Sequence, residues 1–364
     1  MEKVKNRSFA RKAGLAASLF LGGLGLAGCE VAPPEAVAKV LDMGWPDPVT
    51  PEAVQLYNFW VWVWVAAWII GIVMWGLFLT AIFKWNGKAR AKRTNDEFPK
   101  QLQYNVPLEL VLTIVPIIIV FALFFFTVQA QTVVTARDKD PEVTVDVTAF
   151  QWNWKFGYAE VGAGLAPNGQ KYIGVDEERQ AAAEATKYDP EDLKNANPIH
   201  GASMGDQSYL NYNKIETLGA TNEVPVLVLP TDTPIEFRLA SGDVNHAFWV
   251  PEFLFKRDAY AHPEANQQER AFQIEKIDRE GAFVGRCAEM CGTYHAMMNF
   301  EIRAVSPADF RDYIAFRDEN PDATNAEALK AIGQEPYATS TRPFVSDRLG
   351  TRSGDNFTDP NANA

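Results

Sequence analysis

The sequence predicts a two-helix transmembrane hairpin followed by an all-β domain of the sandwich or barrel class, with an insertion and a C-terminal helical extension. Three observations carry this. Two long apolar stretches lie near the N-terminus, a series of short β-branched or aromatic runs follows them, and a Ser-capped run comes after the last strand. The 364 residues, 47% of them hydrophobic and 12% aromatic, suffice for about two domains. A net charge of -12 argues against nucleic acid as a partner and favours a soluble face that attracts basic ones.

The first element reads as an export signal. Lys3, Lys5, Arg7, Arg11 and Lys12 form a basic head, and "AGLAASLFLGGLGL" is apolar but short for a span. It ends in Leu26-Ala27-Gly28-Cys29, which resembles the bacterial lipobox, in which the cysteine is lipidated and becomes the mature N-terminus. The alternative is an ordinary signal peptide with an incidental cysteine. On the lipobox reading, residues 1–28 are the signal peptide and 29–55 an extracytoplasmic segment anchored in membrane lipid at Cys29.

The hairpin is expected over 56–128. Phe59 to Phe83 contains no charge, and at about 1.5 Å per residue it crosses a hydrocarbon core of roughly 30 Å. Trp60, Trp62 and Trp64 suit an interfacial belt, or pack against neighbouring helices. The second span runs from about Leu108 to Val128, where Pro116 is tolerable if partner helices satisfy the freed carbonyl. The loop at about 84–106 carries Lys84, Lys88, Arg90, Lys92, Arg93 and Lys100 against Asp96 and Glu97, so it is expected in the cytoplasm, with both ends of the mature chain outside. Glu109 opens the second span. A carboxylate there either lines a proton path or snorkels to the interface.

The outer domain is expected over 129–305. Its strands are read at Glu142 to Tyr158, Val224 to Pro230, Pro234 to Ser241, Glu269 to Ile277 and Gly281 to Cys287, each bounded by turn residues. An Ala-, Asn- and charge-rich insertion at about 159–222 interrupts them, with "EERQAAAEATKY" able to form a short helix on the barrel surface. Residues 306–364 begin with the capped run "SPADFRDYIAFRDE" and end in an Asn- and Asp-rich tail expected to be mobile.

The chemistry concentrates in "RCAEMCGTYHAMMNF". Cys287, Cys291, His295 and Met298 form a C-x3-C-x3-H-x2-M array just after a strand, and His246 stands upstream in "SGDVNHAFWVP". Soft thiolate and thioether ligands combined with imidazole favour copper. A disulfide between the cysteines leaves His295, Met298 and His246 without a reason, and the spacing fits a Cys2His2 zinc site poorly. A blue-copper ion needs one cysteine, whereas two bridging thiolates make a binuclear centre; a main-chain carbonyl between the cysteines could fill its last position. His200 and His262 have no such neighbours and receive no role.

Together "CAEMCGTYHAMM", "DVNHAFWVP", "FQWNWKFGY" and the two N-terminal spans resemble subunit II of a haem-copper cytochrome c oxidase over almost the whole mature chain. The lipobox, "PLELVLTIVP" and the insertion look most like the actinobacterial form. The resemblance implies a cupredoxin barrel carrying a binuclear CuA centre. Cys287 and Cys291 would bridge both coppers, His246 and Met298 would complete one, and His295 with the main-chain carbonyl of Glu289 the other. The Glu289 carboxylate would point toward a magnesium ion shared with subunit I. Trp152 matches the family's electron-accepting aromatic, Glu109 the mouth of a proton path, and Asp243 a docking position for the c-type cytochrome donor, although Gly242 stands where some relatives carry another acid. The implied activity is electron transfer to the haems of subunit I, where oxygen is reduced to water with proton pumping. The implied partners are the other oxidase subunits and a membrane-bound dihaem cytochrome of a bc complex, joined as a supercomplex. A metal-free quinol-oxidase subunit and the CuA subunit of a nitrogen-oxide reductase are the competing readings.

Overall fold

A computed structural model describes residues 32–88, 103–137, 140–187 and 205–343. The signal peptide, Cys29, most of the basic loop, His200 and the C-terminal tail lie outside the described residues. The chain forms two compact units, one of residues up to Trp45 and Gln55–Val133, the other of Pro46–Val54 and Val134 onward.

In the first unit a short helix, α1 (Glu35–Leu41), precedes two long ones, α2 (Pro51–Lys84) and α3 (Val106–Thr135). Both are long and apolar enough to cross a membrane, and both outrun the sequence reading by a turn or more at one or both ends. Along the second half of α2 and most of α3 the side chains face outward, Trp75 and Phe121 each 69% exposed, so lipid or protein must cover them. Among the tryptophans, packing is what the structure shows: Trp60 stacks on Trp45 with centroids 4.3 Å apart, meets Trp64 edge-on, and donates its indole N–H to the carbonyl of Asp42.

The second unit is two sheets closed over one core. The first sheet has the order β3-β2-β1-β6-β9, with β4 also on β2; these are β1 (Val143–Phe150), β2 (Asn153–Val161), β3 (Tyr172–Ile173), β4 (Glu216–Leu218), β6 (Ile235–Ser241) and β9 (Ala271–Ile274). The second has the order β5-β11-β10-β7-β8, from β5 (Val226–Pro230), β7 (His246–Val250), β8 (Phe255–Ala259), β10 (Gly281–Cys287) and β11 (Asn299–Val305). Two pairings are parallel, β1 with β6 and β5 with β11, and the others are antiparallel. Trp154, Phe156, Tyr158, Phe237, Phe248 and Phe300 fill the space between the sheets. The arrangement is the cupredoxin-like sandwich that the resemblance implies.

β1 shows how the segment between β2 and β5 belongs to this fold. Its sequence alternates, Val143, Val145 and Val147 with Thr144, Asp146 and Thr148, and such a strand normally wets its polar face. Here both faces are buried. Asn211 and Asn213 lie over the polar side and donate to the two Asp146 oxygens at 2.7 and 3.0 Å. Burial pushes the Asp146 carboxyl above its ordinary value, and these two amides only partly offset it. The expected helix in this segment is α4 (Glu177–Glu184), capped by Asp176.

At the other end, α5 (Pro307–Glu319) starts at the expected Ser306 cap, and α6 (Asn325–Ala331) follows with a full capping box, Thr324 and Glu327. Phe310, Tyr313 and Ile314 of α5 are buried, and Arg317 donates to the carbonyl of Glu216 at 2.8 Å. These two helices are thereby part of the outer domain's core.

Candidate metal centre

Three segments converge at one end of the sandwich. β7 begins at His246, which is fully buried; β10 ends at Cys287; and the loop from there to β11 supplies Cys291, His295 and Met298. Register explains the convergence, because β10 and β7 pair at Cys287 with Phe248, bringing the start of β7 beside the end of β10.

The donor atoms sit at metal-sharing distances. Cys287 Sγ is 3.8 Å from Cys291 Sγ, 3.8 Å from His246 Nδ1 and 3.3 Å from the Glu289 carbonyl oxygen. Cys291 Sγ is 3.5 Å from His295 Nδ1 and 3.9 Å from Met298 Sδ. Metal–thiolate bonds of about 2.3 Å and metal–imidazole bonds of about 2.0 Å, meeting at a tetrahedral angle, set donor atoms roughly 3.5 to 3.8 Å apart. The cluster therefore fits metal held between its members. It does not fit a disulfide, whose sulfurs lie about 2.05 Å apart, and both cysteines are free.

Electrostatics favour thiolate ligands. Burial by itself raises the Cys287 thiol, but the His246 hydrogen bond and the main-chain groups of Ala247 and Glu289 outweigh it and bring the group down to about 6. Cys291 is pushed up to about 12, by burial and then by the neighbouring Cys287. Two adjacent thiolates repel each other in this way, and a shared cation removes the conflict.

Side chains and amides behind the donor atoms hold them in place. His246 Nε2 lies 2.9 Å from Asp243 Oδ1, which fixes the ring so that Nδ1 faces the sulfurs. Burial opposes a charged imidazole, yet Asp243 and Cys287 together hold the His246 group above its ordinary value. The other Asp243 oxygen accepts the Gln151 N–H at 2.7 Å, and burial of this carboxyl is outweighed by His246 and by the Gln151 and Val244 amides, which hold it low. Gln151 Nε2 and Trp152 Nε1 both donate to the Cys291 carbonyl, at 2.7 and 3.1 Å. Gly292, at φ +124°, lets them approach: a Cβ there would stand 3.1 Å from Trp152 Nε1.

The site residues read from the sequence, Cys29 apart, fall among the described residues. His246, Cys287, Cys291, His295, Met298 and the Glu289 carbonyl come together, with Trp152 at their edge and Asp243 beneath His246. The Glu289 carboxylate points elsewhere, 3.7 Å from Lys256. Glu109 belongs to the other unit, in the first turn of α3, where its carboxylate accepts the Asn105 N–H at 2.9 Å. Trp154 was missed. Fully buried, it donates to the Met298 carbonyl at 3.3 Å, an oxygen that also accepts the Cys287 N–H, and its ring centroid lies 6.3 Å from that of His246. Its place in "QWNW" was visible, but nothing local marks which of the two tryptophans is buried.

Residues 187–305 match the family model described as the periplasmic domain of cytochrome c oxidase subunit II. The chain is 70% identical to the cytochrome c oxidase subunit 2 of Corynebacterium glutamicum, over 98% of this chain and 99% of that one, and 65% identical to that of Corynebacterium diphtheriae, over 99% of both. Among solved structures it is similar to the periplasmic domain of subunit II of the Bradyrhizobium japonicum cytochrome oxidase, with 22% identity, a TM-score of 0.29, and coverage of 50% of this chain and 96% of that one. By identity sustained along its whole length, this chain belongs to the cytochrome c oxidase subunit 2 family.

Proposed function

We propose that the chain is the electron-accepting subunit of a respiratory oxidase, taking electrons from a c-type cytochrome into a binuclear copper centre and passing them to the haems of subunit I. The observation that carries this is the pair of sulfurs 3.8 Å apart, each flanked by one imidazole nitrogen. Cys287 and Cys291 would bridge two coppers, His246 and Met298 would complete one, and His295 with the Glu289 carbonyl the other. Bound there, the metal pair supplies a one-electron store delocalised over two sulfurs. The chain's own part is rigidity: ligands fixed by β7, β10 and their hydrogen bonds do not rearrange when an electron arrives, which keeps transfer fast.

Trp152 is our candidate for electron uptake. Half-buried, it packs edge-on against Tyr294 and donates to the main-chain carbonyl of the bridging Cys291, a short bonded route to the sulfur. Asp243 presents a negative charge close by for a donor while its oxygens hold His246 and Gln151. The donor we favour is the membrane-bound dihaem cytochrome of a bc complex in a supercomplex. The Glu289 carboxylate, aimed away from the sulfurs, would serve a magnesium ion shared with subunit I; its neighbour Lys256 already holds Asp258 at 2.8 Å and need not compete. Glu109 would stand at the mouth of a proton path while also capping α3. We place the protein in the cell membrane with both mature ends outside and Cys29 lipidated, supported by the export signal and the basic loop between the spans.

Replacing Trp152 with Phe in the assembled oxidase tests the reading. Copper content should stay as it is while rapid-mixing reduction by the donor slows by at least tenfold. Unchanged reduction kinetics would remove Trp152 from the route.

A further inference from the structure

The segment between β2 and β5 does more than cover β1. Its stretch from Asp206 to Asn213 is stapled to the sheet by Asn211 and Asn213 on Asp146, by Lys155 donating to the Asn211 carbonyl at 3.1 Å, and by the burial of Leu210. From this fixed base Tyr209 reaches toward the loop joining β6 to β7. Its hydroxyl donates to the Ser241 carbonyl at 2.7 Å, and its ring packs on His262 with centroids 3.9 Å apart.

Ser241 is where that loop is set. It is fully buried, its N–H donates to the Tyr260 carbonyl at 2.9 Å, and the next amide, Gly242, donates to Ala149 at 2.8 Å. Its hydroxyl oxygen accepts the Asp243 N–H at 3.1 Å and bonds the Val244 carbonyl. Asp243 in turn grips His246. The sandwich itself thus supplies two main-chain anchors to this peptide, and Tyr209 supplies a third from outside the sandwich core.

We infer that Tyr209 is a positioning residue for His246, acting through Ser241 and Asp243, so that the segment between β2 and β5 braces the metal loop. The inference rests on the reading of His246 as a copper ligand. Outer-shell partners of metal ligands change affinity by about 10- to 100-fold, and Tyr209 stands two hydrogen bonds beyond Asp243, the partner that touches His246, so an effect at the low end is expected. Tyr212 provides the control: among the described residues its hydroxyl bonds Gln207 alone, at 2.9 Å, and its ring, which carries Lys155, survives in Phe.

The test compares Tyr209→Phe, Tyr209→Leu and Tyr212→Phe in the full-length subunit within the purified oxidase. Copper loss to a cuprous chelator should accelerate roughly tenfold in Tyr209→Leu and less in Tyr209→Phe, which keeps the ring on His262, with a shifted copper hyperfine pattern in both. In copper-depleted samples, amide hydrogen exchange at 241–246 should accelerate in the same order. Tyr212→Phe should match the unaltered protein throughout. Tyr209 variants with unaltered copper retention, hyperfine pattern and exchange overturn the inference; so does faster exchange with unaltered copper retention. Should the unaltered complex hold no copper pair, the functional reading fails, and exchange at 241–246 alone then upholds or overturns the brace.

Discussion

Glu301→Ala should release the C-terminal segment from the sandwich. Glu301, on β11, is fully buried, and Arg303 on the same strand is 4% exposed. The carboxylate accepts from Arg303 Nε at 3.1 Å and Nη2 at 2.5 Å, and from the N–H groups of Thr339 and Ser340 and the Ser340 hydroxyl, each at 2.7 Å. Arg303 also donates to the carbonyls of Glu335 and Tyr337, each at 3.1 Å. Removing the carboxylate strands a buried guanidinium and two amides, a loss of about 3–5 kcal/mol. At about 1.4 kcal/mol per decade, local opening of residues 335–340 becomes roughly a hundred- to a few-thousand-fold more frequent. Limited proteolysis under conditions where cleavage follows the opened population measures this directly. Pairing Glu301→Leu with Arg303→Met leaves no unpaired charge but still strands the Thr339 and Ser340 amides, so it should recover only part of the resistance. Acceleration below tenfold in Glu301→Ala would show that this carboxylate does not hold residues 335–340 to the sheet.

Other perturbations separate the layers of the account. Gly292→Ala puts a Cβ into a positive-φ residue 3.1 Å from Trp152 Nε1, so the copper spectrum should shift and electron uptake fall, while melting of the outer domain drops by about 1–3 kcal/mol; an unaltered spectrum would contradict the tight packing. Glu236 is buried, which raises its carboxyl, but Arg238 at 2.8 Å, Gln273 at 2.9 Å and Arg137 outweigh this and hold it below its ordinary 4.5. Its stabilisation is therefore present above pH 4.5 and lost as pH falls through the lowered folded value. Glu236→Gln should lower stability at neutral pH and flatten the acid limb of the stability curve, and a limb of unaltered slope would show that another group governs it.

Local pattern made some elements readable and concealed others. β10 runs over the residues read from sequence, an aromatic and β-branched run opened by Gly281. The run from Glu142 to Tyr158 is instead two strands, since the turn at Gln151 and Trp152 contains neither Gly nor Pro. β11 was hidden by Glu301 and Arg303, charges that belong in a core because they pair with each other and with the main chain of 335–340. β8 was hidden for a similar reason, its Lys256, Arg257 and Asp258 reading as a loop. The metal ligands were legible because thiolate, thioether and imidazole are scarce in this chain. Their supports were not: Gln151 meets Cys291 across 140 positions, and Tyr209 meets Ser241 across 32, distances over which no local pattern speaks.

On the reading proposed above, Cys287 and Cys291 hold two coppers that share one electron. Copper analysis joined to electron paramagnetic resonance of the oxidised subunit tests it most directly. Two coppers per chain, with hyperfine structure from one electron spread over two equivalent copper nuclei, is the predicted result. One copper per chain, with hyperfine structure from a single nucleus, would contradict it.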